Sequence, residues 1–255
     1  LVALFEQSKC YKFSNNGLSV ESVFLPQEIA LTLNINGQSR FSILCTPSKL
    51  EYLITGFLYS EKIVSSVADI ENINIDYQNF TAHITTKTNI EIKDKKTITS
   101  GFGSGFIFNY DGEIVSSQLT ISPDEIISVV ELLYSNMELY KISGGVHASA
   151  LSDGKKIIII SEDIGRHNSI DKIHGESLSI GLDTKDMILI TTGRISSEML
   201  LKSSRMKIPI VISKKSITAN SFLLADRLGI TIIANVKGNT FNIYTHPERV
   251  LSKVG

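Results

Sequence analysis

Along the first part of the chain apolar and polar residues alternate, and β structure is predicted over residues 1–45. The cleanest stretch sets Ile29, Leu31, Leu33 and Ile35 against Ala30, Thr32, Asn34 and Asn36, the period of two that turns one side of a strand to a core. Asn36-Gly37 supplies a tight turn into Phe41–Cys45, so these two strands form a hairpin. The period then changes. Leu50, Leu53, Ile54, Phe57 and Leu58 return at helical intervals behind Ser48 and Glu51, whose spacing suits a capping box. An amphipathic helix, LEYLITGFLYSE, is expected to pack on the hairpin. Between 70 and 93, the segments IENINIDY, FTAHITT and NIEIK alternate again and predict antiparallel strands, with His83 as a surface residue. The charged turn Asp94-Lys95-Lys96 divides a β-rich N-terminal subdomain, 1–96, from a second domain, 97–255.

In the second domain the pattern becomes strand and helix by turns. Ser122 as cap, Pro123 at the first helical position, Glu125 at the third and the stripe Ile126, Val129, Val130, Leu133 predict a helix over 122–139. Ile157–Ile160 reads as a strand buried on both faces, with a helix from about Asn168, which can cap it. Met187–Thr191 leads through Thr192-Gly193-Arg194 into a helix over Ser196–Met206, and Pro209–Ser213 leads into one over Ala219–Leu228. Strands Ile230–Val236 and Thr240–Tyr244 close the chain. The fold class is α/β (α+β overall): a β-rich part followed by a three-layer domain with a mostly parallel sheet.

Composition adds exclusions. A hydrophobic content of 42% and a charged content of 20% describe an ordinary globular chain, and a net charge of −1 gives no reason to expect nucleic-acid or membrane partners. No apolar run reaches membrane-span length, and the opening LVALFEQSKC has neither basic flank nor h-region. Two cysteines, Cys10 and Cys45, make no disulfide framework, so a reducing, cytoplasmic setting is expected.

The densest chemistry runs from Ile142 to Lys172. Gly144-Gly145 is read as opening a short helix, and after Ile157–Ile160 come Glu162, Asp163, Gly165, Arg166, His167 and Asn168. Ligands of open α/β sheets bind at such carboxyl ends of strands. GGVHASAL followed by EDIGRHNSIDK resembles the formate dehydrogenase accessory protein family (FdhD/NarQ), and CTPSKLEYLITGFLYSEKI fits a further segment of that family. The resemblance implies a cytoplasmic, homodimeric sulfurtransferase that accepts sulfur from a cysteine desulfurase as a persulfide. The sulfur passes to the molybdenum (or tungsten) cofactor, in its molybdopterin guanine dinucleotide form, destined for the formate dehydrogenase catalytic subunit. GDP is the implied surrogate ligand.

One loop departs from that pattern. In ITSGFGSGFIF the family's persulfide cysteine is replaced by Phe102 in one alignment, and by Gly101 and Ser104 in the other. None of these can carry a persulfide. Cys45, at a strand end beside a helix start that could lower its pKa, is either a substitute thiol or a buried structural residue. The chain is then either a sulfurtransferase or a noncatalytic cofactor-binding chaperone or partner subunit. The resemblance also implies a cytidine deaminase-like fold, with His147 where deaminases place a zinc histidine. Ala148-Ser149 follows in place of a catalytic Glu and no PCxxC exists, so zinc is not expected. The cofactor site implied comprises Gly144, Gly145 and His147, Arg166 and His167, and Gly193 and Arg194. In NVKGNT it adds Asn235, Val236, Lys237, Gly238, Asn239 and Thr240. Arg166 offers a planar fork for phosphate and His167 a titratable donor. Arg194 either does the same or pairs with Glu162, Asp163 or Glu198, and NVKGNT also reads as a plain hairpin turn whose Lys237 keeps charge without the fork.

Overall fold

A computed structural model describes residues 2–87, 96–98 and 112–251. Strands β1 (Phe5–Ser14) and β2 (Gly17–Pro26) form an antiparallel ribbon of their own. One face of it carries Tyr11, Phe13, Leu18 and Val20, all exposed, with Phe13 opposite Leu18 and Tyr11 opposite Val20. The hairpin β3 (Ile29–Ile35) and β4 (Gln38–Cys45) forms as its alternation predicts, turning at Asn36-Gly37. With β5 (Ile70–Asp76), β6 (Thr81–Thr86) and β7 (Lys96–Ile98) it makes a sheet of order β5-β6-β3-β4-β7. β7 lies across the expected division at 96/97 and pairs parallel to β4. His83 is exposed, and NIEIK lies outside the described residues.

Helix α1 (Leu50–Ser60) covers this sheet, with Leu53, Ile54 and Leu58 packed among Leu31, Leu33, Phe41 and Ile43. Its expected capping box does not form. Lys49 occupies the cap in a left-handed conformation, and the Ser48 hydroxyl turns instead to Lys172. Little of α1 faces solvent, Glu51 being its one exposed residue, because it is pressed between its sheet and helix α4 (Arg166–Ser179). A Cβ built on Gly56 would stand 1.9 Å from the Asp171 carbonyl oxygen, and one on Gly175 1.9 Å from that of Tyr52. The two helix backbones touch, which side chains at either position would prevent.

The second sheet has the order β13-β12-β11-β10-β8-β9. Its strands are β8 (His147–Ser152), β9 (Ile157–Asp163), β10 (Ile188–Thr191), β11 (Ile210–Ser213), β12 (Thr231–Lys237) and β13 (Thr240–Ile243). β10, β11 and β12 pair in parallel, whereas β8 pairs antiparallel with both β9 and β10, and β13 antiparallel with β12. The mostly parallel sheet is thus realised as β9 to β12 running one way, with β8 and β13 reversed. β9 lies at the edge, not the centre, and owes its unbroken apolar run to helices on both sides. Ile159 packs with α4, and Ile157 and Ile160 pack with α2 (Pro123–Asn136).

Helices α4, α5 (Ser197–Arg205) and α6 (Ala219–Leu228) cover one face and α2 the other, giving three layers. The start of α2 is as predicted. The Ser122 hydroxyl accepts from the Glu125 amide at 3.3 Å, and the Glu125 carboxylate accepts from the Ser122 amide at 2.8 Å. Among the described residues no helix is long and apolar enough to cross a membrane.

Candidate functional site

Because β9, β10, β11 and β12 run one way, their carboxyl ends meet at one edge of the sheet, joined there by the start of β8. Hydroxyl residues at the strand ends tie the loops together. Thr191 Oγ1 accepts from the Gly193 amide at 3.2 Å, and Ser213 Oγ donates to the Gly193 carbonyl at 2.8 Å. Ser213 Oγ also accepts from the Lys215 amide at 3.0 Å, and the Lys215 carbonyl accepts from the Asn235 amide at 3.2 Å. Each loop is therefore positioned by its neighbour.

A cavity of about 360 Å³ opens here, lined by Tyr134, Tyr140, Gly144, Gly145, Val146, His147, Ile164, Thr192 and Lys215. Gly144-Gly145 enters differently from the expectation. Gly144 ends α3 (Glu138–Ser143) in a left-handed conformation, and the chain passes directly into β8. No helix starts at the glycine pair, and His147 stands on a strand opposite Asp163. Gly145 lies against the ribbon, where a Cβ would come within 2.9 Å of Pro26 Cγ. The helix start at this edge belongs to α4 instead. It begins at Arg166 behind Gly165, with no side chain capping it, which leaves its first amides without a side-chain acceptor.

The acids of the EDIGRHN segment do not face the cavity. Glu162 accepts from the amides of Glu138, Leu139 and Tyr140 at 2.8–2.9 Å, capping α3. Asp163 is fully buried and pairs with Lys172 at 2.6 Å. Asn168 caps nothing; its amide donates to the Leu44 carbonyl and to Asp163, both at 2.8 Å. What remains at the edge is positive or neutral. Arg166 is half-buried across Gly193, where a Cβ would come 2.9 Å from its own, and its Nε is buried without a partner.

Burial, then the Arg166 charge, pushes the His147 pKa down; Lys215 adds to this and Asp163 opposes it. Its Nδ1 lies 3.3 Å from Thr192 Oγ1. His167 is pushed down to about 3, by burial first and then by Arg166, Lys202 and His147. Its 3.8 Å approach to Glu198 is therefore no ion pair at neutral pH, although the distance alone would allow one. His167 lies beside Ser196 Oγ at 3.4 Å rather than along the cavity wall, and its Nδ1 is buried without a partner.

Arg194 is exposed, with Glu162 and Asp163 engaged elsewhere. Asn235 takes a left-handed conformation at a bulge and donates to the Tyr244 hydroxyl at 2.7 Å. Val236 is buried in the core, and Lys237, Gly238, Asn239 and Thr240 form the β12–β13 turn, outside the described cavity wall. Cys45 is fully buried, and burial, then Asp163, pushes its thiol pKa up. A helix start was expected to lower it; the low-dielectric surroundings reverse the sign. Gly101, Phe102 and Ser104 lie outside the described residues. The sequence reading missed Tyr134, Tyr140, Ile164, Thr192 and Lys215. The only local sign for Lys215 was a lysine pair just after a strand end.

An uncapped helix start, Arg166 with an unpartnered Nε and the cavity beside His147 thus gather at the carboxyl ends of the parallel strands of a three-layer α/β protein. The FdhD/NarQ family model matches residues 26–251, and the chain belongs to that family. It is 34% identical over 232 residues to the sulfur carrier protein FdhD of Staphylococcus haemolyticus (strain JCSC1435), covering 88% of each chain. Identity to the protein of the same name from Staphylococcus aureus (strain MRSA252) is 34% over 233 residues, again 88% of each. The crystal structure of a putative formate dehydrogenase accessory protein from Desulfotalea psychrophila superposes with a TM-score of 0.81 at 24% identity. The match covers 98% of this chain and 100% of that one and is a likeness of fold.

Proposed function

We propose that this chain is a formate dehydrogenase accessory protein of the sulfur-carrier kind. Its cargo is the guanine dinucleotide form of a molybdenum or tungsten cofactor, held at the edge where β9 to β12 end. The observation that carries this reading is Arg166, whose buried Nε lacks a partner beside the uncapped start of α4. The residues present fit an anionic, planar group. Arg166, the first amides of α4, Lys215 and Arg194 would take phosphate charge, and neutral His147 with Thr192 would meet polar edges. The Asn235–Thr240 segment lies at the same sheet edge for an extended ligand. The cargo itself supplies the redox metal centre of the client enzyme. By the same reading the partners are a cysteine desulfurase, the formate dehydrogenase catalytic subunit and a second copy of this chain, in the cytoplasm. The ribbon's Tyr11 and Phe13 face is apolar surface available to such a copy.

A second reading, a cofactor holder without sulfur transfer of its own, is favoured by the thiols. ITSGFGSGFIF contains no cysteine, and Cys45 is sealed in the core with a protonated thiol. Two measurements test the pair. Saturating GDP should raise the melting temperature through binding to the native state; an unchanged melting temperature with no heat in calorimetry overturns cofactor binding. Intact mass after incubation with a cysteine desulfurase and cysteine separates the readings. A persulfide on the native chain supports the carrier, and one only on Phe102→Cys supports the holder.

A further inference from the structure

We infer that Thr46, on the chain segment between β4 and α1, is a positioning residue for the Arg166 turn. Through it the N-terminal part of the molecule sets the ligand affinity of a site built on the second sheet. The inference rests on the reading above, that Arg166 and the start of α4 receive the anionic part of the ligand.

The contact is a buried carboxylate with donors converging from both parts. Asp163 Oδ2 accepts from the Thr46 amide at 3.1 Å, from the Thr46 hydroxyl at 3.0 Å and from Lys172 Nζ at 2.6 Å. Asp163 Oδ1 accepts from the Gly165 amide and from the Asn168 side chain, each at 2.8 Å. One oxygen is thus bound to the N-terminal part, and the other shapes the turn that leads into Arg166. Lys172 closes the arrangement, donating to the Thr46 hydroxyl at 2.8 Å and to Ser48 Oγ at 3.2 Å. Thr46, Asp163, Asn168 and Lys172 are all nine-tenths or more buried, so water cannot replace a lost bond cheaply. Gly165 precedes a helix that no side chain caps, so its Asp163 bond is what anchors the turn.

The Thr46 hydroxyl is neutral and bonds both charges of the pair, so it can be removed while Asp163 and Lys172 keep each other. Thr46→Val keeps the shape and loses the hydroxyl's bonds, the shortest of them to Lys172 and Asp163; Thr46→Ser keeps them. With GDP as probe, Thr46→Val should raise Kd by about tenfold, the loss of one bond to a charged group, while Thr46→Ser stays within about twofold of the native chain. A second readout needs no ligand. Hydrogen exchange at the amides of Gly165 to Asn168 should quicken in Thr46→Val and not in Thr46→Ser, with the central strands β10 and β11 unchanged. A folded Thr46→Val with native Kd for GDP overturns the inference, as does native protection of residues 165–168, even if its melting temperature falls. If the native chain fails to bind GDP, the functional reading is what falls, and the exchange data still decide whether Thr46 positions the turn.

Discussion

Arg166 owes its place to the absence of a side chain beneath it. Gly193 has an ordinary backbone conformation, so alanine there is tolerated by the chain, but its Cβ would meet Arg166 Cβ at 2.9 Å and Cδ at 3.0 Å. Gly193→Ala is expected to push Arg166 and the start of α4 away, weakening GDP binding by roughly tenfold and lowering the melting temperature. Titration calorimetry beside a thermal melt checks this. Native affinity in the variant would remove Arg166 from the ligand site. His147 belongs to the same scale. Burial and the Arg166 charge favour its neutral form, so under the proposed function it would meet a ligand as a hydrogen-bonding group and leave the positive charge to arginine and lysine.

At the scale of elements, the α1–α4 contact joins the two sheets. Its tightest points are Gly56 and Gly175, each lying against the other helix's carbonyl. Gly56→Ala would drive a methyl group into backbone that cannot move without separating the helices, and about 3 kcal/mol or more of destabilisation is expected. Urea denaturation measures it; a loss under about 1 kcal/mol would mean that the helices separate freely. Buried ion pairs flank this contact. Lys202 holds Asp171 at 2.8 Å with Glu61 3.6 Å away, and Lys172 holds Asp163 at 2.6 Å. Burial pulls the Lys202 ammonium toward neutrality, but Asp171 and Glu61 outweigh it and raise its pKa, whereas burial outweighs Lys202 at Asp171 and raises that pKa too. Removing one partner would leave a buried charge alone, which costs more than the pair contributes.

For the molecule as a whole, two sealed histidines set the response to acid. His167 and His174 are both pushed down to about 3, by burial first and then by neighbouring cations. The folded chain keeps them neutral while the unfolded chain takes up protons below about 6.5, so stability falls as pH drops from about 6.5 toward about 3. The slope reaches at most ~1.4 kcal/mol per pH unit for each histidine. His174→Asn, which can still bond Ser60, should flatten this dependence, and urea midpoints at pH 7.5, 6 and 5 would reveal it. A native slope in that variant would place the acid sensitivity elsewhere.

Local order was legible in the residues themselves. The β3–β4 hairpin, the capped start of α2 and the βα succession from β10 to β12 all follow from periods and turn residues that act within a few positions. So did the family, through GGVHASAL and EDIGRHNSIDK. What only tertiary structure decided were the matters settled by distant partners. An apolar run cannot tell an edge strand between two helical layers from a central one, so Ile157–Ile160 gave no sign that β9 closes the sheet. Nor does a glycine pair record whether it opens a helix or ends one. Asn168 read as a helix cap and Glu162 and Asp163 as charges crowding a strand end, yet all three bind the scaffold. Lys172 meets Thr46 across 126 residues, and Asp171 meets Lys202 across 31. Among the described residues of that polar run, Arg166 Nε and His167 Nδ1 are left without a bonding partner. Local spacing determines which face of an element is apolar; which charges are consumed in holding the elements together depends on the packing of segments far apart in the chain.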